Sequence, residues 1–112
     1  IYGMTVLLNA ALYNRASLVV MPRFDLVEFL ENIQNHKVTM AYIAPPVAVA
    51  LAKHPIVDDY DLSSLRVAVT GASVVPVALI ERMQSDLGLE TVITAYGQTE
   101  TMGFITMPGP PP

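Results

Sequence analysis

The chain has 112 residues, of which 53% are hydrophobic and only 14% charged, against about 25% charged in an average domain. Six basic and ten acidic residues leave a net charge of −4 and no basic run to follow a phosphate backbone, so nucleic acid is not an expected partner. The length excludes a complete two-domain enzyme, and so apolar a chain reads as a slice of something larger, a fragment running from Ile1 to Pro108-Gly109-Pro110-Pro111-Pro112.

The absence of cysteine excludes disulfides, thiolate zinc sites and thiol nucleophiles, and suits a cytoplasmic setting. The longest weakly polar stretch, Val38 to Ala52, is shorter than a membrane span and is broken by Pro45 and Pro46. No charged leader with a cleavage site is present.

In chain order, Met4, Leu7, Leu8, Ala11 and Leu12 fall on one helical face, and Ser17 to Met21 is a short β-branched run closed by Pro22 that predicts a strand. Asp25 and Glu28 form a capping pattern ahead of the stripe Leu26, Phe29, Leu30 and Ile33, which predicts a helix ending near Asn35, His36 and Lys37. Val38 to Ile43 predicts a buried strand, and Pro46 then sits as a first-turn proline opening a helix over Val47 to Lys53 that Pro55 closes. The loop that follows carries Asp58, Asp59 and Asp61. It lacks the glycine turn and bidentate glutamate of a calcium loop, so a solvated loop is the expectation. His36 and His54 lie beside helix ends with no second ligand at metal spacing, which points to a helix-terminal charge role.

Arg66 to Thr70 is a second buried strand, with Gly71-Ala72-Ser73 at its carboxyl end. Pro76 opens a helix that turns Ile80, Met83 and Leu87 inward, and Gly88 stops it. Thr91 to Tyr96 is the next strand, Gly97-Gln98-Thr99-Glu100 follows, and Met102 to Met107 is a further strand candidate. Short strands alternating with helices give an α/β fold with mainly parallel strands.

Ligands of parallel sheets bind outside the carboxyl ends of strands. At Gly71-Ala72-Ser73 small residues admit a ligand to the backbone, although taken alone they read first as tight packing at a strand-helix turn. Tyr96-Gly97-Gln98-Thr99-Glu100 joins a planar ring, a flexible glycine, a hydroxyl and a carboxylate, suited to a base, a phosphate and magnesium; a capped turn is the alternative.

This second segment resembles the Tyr-Gly-x-Thr-Glu signature of the adenylate-forming superfamily, which contains acyl-CoA synthetases, luciferase-like enzymes and peptide-synthetase adenylation domains. Gly71-Ala72-Ser73 is similar to its Gly-Ala-Pro adenine loop, and Ile1-Tyr2-Gly3-Met4 to the tail of a His-Ile-Tyr segment. Pro22-Arg23-Phe24-Asp25, Ala44-Pro45-Pro46 and Tyr60-Asp61-Leu62-Ser63-Ser64-Leu65 fall in family order, so the resemblance covers residues 1–112 and is strongest to 4-coumarate-CoA ligase-like enzymes, particularly bacterial ones.

The resemblance implies part of a large N-terminal AMP-binding domain whose parent activates a carboxylic acid with ATP and Mg2+, then passes the acyl group to coenzyme A. It implies Thr99 on the α-phosphate, Glu100 on magnesium, and Tyr96 against adenine with Gly71, Ala72, Ser73 and Gly97 around it. The acyl pocket would take Tyr2, Val6, Val69, Ala72, Gly97, Gly103 and Phe104; Val69, Ala72, Gly97 and Gly103 are small enough to leave a slot, Phe104 offers a ring face, and the resemblance with the Tyr2 hydroxyl favours a hydroxycinnamate-like acid. A fatty-acyl-CoA synthetase, a luciferase-like relative and a non-catalytic α/β piece are the alternatives. Ser73-Val74 departs from the frequent Ala-Pro. The glycine-rich phosphate loop, the ribose-binding aspartate and the small C-terminal domain are not in these residues, so the chain alone is expected to be inactive and to need the rest of the parent enzyme as partner.

Overall fold

Helix and strand boundaries follow local signals closely from residue 25 onward and less closely before it. A computed structural model describes residues 1–108; the last four residues of the proline-rich tail, 109–112, lie outside the described residues. The chain begins with a π-helical run, Gly3–Asn9, continuous with α1, Ala10–Asn14. Of the expected stripe, Leu7 and Ala11 are half-buried, while Met4, Leu8 and Leu12 remain exposed. The strand expected over Ser17 to Met21 is not formed: the segment pairs with no strand among the described residues, and β-branched residues alone cannot supply the ladder that satisfies backbone groups.

The next helix, α2 (Leu26–His36), is capped by Asp25, whose carboxylate accepts the Glu28 N–H at 3.0 Å, and it buries Leu30 and Ile33. Strand β1 (Met40–Ile43) leads into α3 (Pro45–Lys53), where both prolines occupy the first turn and so give up only N–H groups that have no helical partner. His54, at the carboxyl end of α3, also caps the 3-10 turn Pro55–Asp59, its Nδ1 accepting the Ile56 N–H at 3.3 Å. In the acidic loop Asp58 and Asp59 are exposed, while Asp61 pairs with Lys37 at 2.9 Å and its N–H donates to Gln34 at 2.8 Å, tying the loop to α2. Hydrogen bonds from the Ser63 hydroxyl and from Lys37 hold the Asp61 carboxyl well below the usual carboxylate range.

Strand β2 (Val67–Gly71), α4 (Val77–Leu87) and β3 (Thr91–Gln98) follow, with Gly88 closing α4 in the left-handed conformation at φ 64. Strand β4 (Gly103–Thr106) is shorter than the candidate range. The sheet order is β1-β2-β3-β4, parallel except for the antiparallel β4, in agreement with the mainly parallel α/β expectation.

Side chains alternate across this sheet. Ala41, Ala68 and Val92 sit in one cross-strand row facing the core that Leu30, Ile33, Ala48, Leu51 and Met83 build from the three long helices. The neighbouring row, Tyr42, Val69 and Ile93, therefore faces the other way, toward Tyr2 of the first segment.

Candidate functional site

Strands β2 and β3 end side by side, with Gly71 paired to Ala95, so the two suspected ligand loops leave the sheet as neighbours. Gly71 is fixed by packing: a Cβ there would stand 2.4 Å from the Ala95 carbonyl oxygen. Ala72 then adopts a left-handed conformation at φ 68, which costs a residue with a Cβ about 1–2 kcal/mol. Ala72 and Ser73 are exposed. Strain of this kind collects where a loop must present its backbone.

On β3, Tyr96 is 57% exposed, and its hydroxyl accepts a hydrogen bond from Gln98 Nε2 at 2.9 Å. Gly97 is not there for flexibility, as its sequence setting implied. A Cβ at Gly97 would fall 1.8 Å from the Gly103 carbonyl oxygen, so glycine is what lets β4 close on β3. Thr99–Thr101 form a single 3-10 turn, and Met102, left-handed at φ 61, reverses the chain into β4. The Thr99 and Glu100 side chains are exposed on that turn, at the carboxyl end of β3.

No cluster of three metal-ligating side chains occurs among the described residues. A lone exposed carboxylate fits magnesium nonetheless, since that ion takes one or two carboxylates and completes its shell with phosphate and water oxygens. An exposed, tethered ring beside a small-residue loop likewise fits a purine base.

The residues expected around the acid divide into two groups. Tyr2, Val6, Gly103 and Phe104 are brought together: the Tyr2 ring meets Phe104 edge-on at 5.6 Å and Tyr42 at 6.4 Å. Val6 Cγ2 lies 2.7 Å from where a Gly103 Cβ would be, and Gly103 itself has φ 132. Burial, reinforced by Tyr42, pushes the Tyr2 hydroxyl up to about 12. Val69 belongs to the same face of the sheet but is only 2% exposed. Gly97 pairs with Phe104 and packs on the Gly103 carbonyl, so it joins the first group, whereas Ala72 lies on the loop after β2. Two residues were not singled out from sequence. Tyr42 was findable, since alternation sets it opposite Ala41 and Ile43; Thr101 was findable from its Gln-x-x-Thr spacing to Gln98.

The family described as AMP-binding enzyme matches residues 1–112. The chain belongs to the AMP-binding enzyme family. Within that family it is similar to a methyl-dioxo-octahydroindenyl propanoyl:CoA ligase of Mycobacterium tuberculosis, 44% identical over 106 residues, which are 95% of this chain and 21% of that protein. It is similar also to 4-coumarate–CoA ligase 2 of Nicotiana tabacum, 37% identical over 107 residues, 96% of this chain and 20% of that protein. Among solved structures, an anthranilate CoA ligase in complex with anthranoyl-AMP matches with a TM-score of 0.72 and 32% identity, over 82% of this chain and 18% of that one. The chain spans about a fifth of the length of the curated relatives it matches. Among the described residues no helix is long and apolar enough to cross a membrane.

Proposed function

We propose that residues 1–112 are part of the large N-terminal domain of a cytoplasmic acid-CoA ligase, which activates a carboxylic acid with ATP and Mg2+ to an acyl-adenylate and transfers the acyl group to coenzyme A. The observation that carries this reading is the pairing of the Gly71–Ser73 loop with the Tyr96–Glu100 segment at adjacent strand ends. On that reading the Tyr96 ring lies against the base, the Thr99 hydroxyl donates to a phosphate oxygen, and the Glu100 carboxylate holds the cation. Magnesium, when bound, offsets charge that builds on the phosphate. The chain's own share is to fix one hydroxyl and one carboxylate on a rigid turn before charge develops.

For the acid, the gathered Tyr2, Val6, Gly103 and Phe104 suit a flat apolar group, and the Tyr2 hydroxyl suits a phenol at its end. A hydroxycinnamate-like acid is therefore the preferred substrate. A bulkier fused-ring propanoate is the second reading, favoured by the 44% identity to the octahydroindenyl propanoyl:CoA ligase against 37% to the 4-coumarate–CoA ligase.

The test is pyrophosphate release by the full-length ligase with 4-coumarate, cinnamate, an octahydroindenyl propanoate and hexanoate. Glu100→Gln should lower adenylation by about two to three orders of magnitude with every acid. Tyr2→Phe should cost about 0.5–1.5 kcal/mol with 4-coumarate alone. Equal loss with both aryl acids rejects the phenol contact, a preference for the fused-ring acid moves the substrate to the second reading, and full activity in Glu100→Gln removes the metal role.

A further inference from the structure

The turn that carries Thr99 and Glu100 is too short to hold itself in place. Three residues of 3-10 helix make one backbone turn bond, from the Met102 N–H to the Thr99 carbonyl at 3.1 Å, and their side chains are exposed. What fixes the turn is Thr101. Its Oγ1 accepts the Gln98 N–H at 3.2 Å and donates to the Gln98 carbonyl at 2.9 Å, so one hydroxyl satisfies both backbone groups of the residue that opens the turn. The same oxygen lies 3.4 Å from the Gly103 carbonyl; with one proton to give, the nearer Gln98 oxygen takes it.

Gln98 completes the circuit. Its side chain accepts from the Thr101 backbone N–H and, through Nε2, donates to the Tyr96 hydroxyl at 2.9 Å. The ring offered to a base and the turn offered to phosphate and cation are thus joined through two residues that touch neither ligand. Movement of Thr101 would carry Glu100 and Thr99 with it, because both lie inside the loop that the Thr101 hydroxyl closes.

We infer that Thr101 and Gln98 are positioning residues: the Thr101 hydroxyl sets where Thr99 and Glu100 stand, and the Gln98 amide couples that turn to the orientation of the Tyr96 ring. The inference rests on the reading of Thr99 and Glu100 given above and adds to it the residues that aim them. Thr101→Val keeps the shape and removes the hydroxyl; Thr101→Ser keeps the hydroxyl.

The experiment compares Thr101→Val, Thr101→Ala, Thr101→Ser and Glu100→Gln in the full-length ligase. One readout is backbone hydrogen exchange over residues 98–102. The other is the magnesium dependence of pyrophosphate release, with KM for the acid measured in parallel. In Thr101→Val and Thr101→Ala, exchange should quicken and the magnesium concentration for half-maximal rate should rise, each by about five- to a hundredfold, the size expected when both hydrogen bonds of the hydroxyl are lost. The acid KM should not move, and Thr101→Ser should restore both readouts. Faster exchange with an unchanged magnesium response, beside a shifted response in Glu100→Gln, overturns the positioning role and leaves Thr101 as a structural staple. An unchanged magnesium response in both Thr101→Val and Glu100→Gln overturns the metal role of Glu100 itself, and the inference with it. Unchanged exchange in Thr101→Val shows that the hydroxyl does not hold the turn, which also overturns it.

Discussion

The two faces of the sheet are built to different standards. On the helix-covered face Ala41 and Ala68 are sealed beneath Leu30, Ala48 and Met83, each of these last three at 0% exposure. On the opposite face Val69 is buried at the centre, but Met40 is exposed and Tyr42 and Ile93 are half-buried, with the Tyr2 segment as partial cover. The left-handed residues Ala72, Met102 and Gly103 gather at the strand ends, whereas Arg15, Lys37 and Gly88 serve as helix caps. The packed face fixes strand positions through apolar burial, and the strained backbones lie in the segments that leave the strand ends. Deep apolar burial is thus concentrated on one side of the same four strands.

The sharpest way to break this division is by truncation on each face. Leu30→Ala should destabilise the folded protein by about 2–5 kcal/mol, because it leaves a cavity in a core that cannot collapse. Tyr42→Leu on the open face should cost less than about 1.5 kcal/mol. Equal losses in chemical denaturation would show that both faces carry the fold.

Gly97→Ala is next in size. Its methyl group meets backbone rather than a movable side chain, so a loss of about 1–3 kcal/mol is expected, together with separation of β4 from β3. Gly3→Ala, with nothing within 4 Å, is the control and should not destabilise. Ala72→Gly works in the opposite direction and should stabilise by up to about 1 kcal/mol in thermal melts, since it relieves φ 68. A destabilised Ala72→Gly would mean that the loop is not strained.

The smallest effects are in pH. Tyr2 stays protonated in the fold up to about 12, above its ordinary 10.0, so its contribution is complete below pH 10 and is lost as pH rises from there through 12. Asp61 is depressed, so its contribution is complete above its ordinary 3.8 and is lost as pH falls below that value. Denaturation midpoints should fall at both extremes. Tyr2→Phe should flatten the alkaline limb alone, and Lys37→Met the acid limb alone.

Legibility in the sequence follows the range of the responsible force. The Asp25 cap, the first-turn prolines of α3 and the Gly88 stop were readable because each acts within a few residues. Ser17 to Met21 was misread because a β-branched run records a preference for extended backbone, while a strand needs a neighbour that composition does not name. Gly97 was placed in the site but given the wrong reason, since the sequence shows a missing side chain and not the Gly103 carbonyl that requires it. The Tyr2, Val6, Gly103 and Phe104 grouping came from resemblance, and the contacts that join both ends of the chain were invisible to local pattern.

The reversal at Met102 also bears on the order in which the molecule assembles. Strands β3 and β4 are joined by four residues, 99–102, whereas β1 reaches β2, and β2 reaches β3, only through a helix. Closing a hairpin takes about 1–10 μs, and parallel pairings that wait on a crossover form later. The Thr99–Glu100 turn can therefore take shape as a nucleus of its own, before any strand lies beside Gly71. A refolding chain would acquire its Thr99–Glu100 corner first and its Gly71–Ser73 loop last.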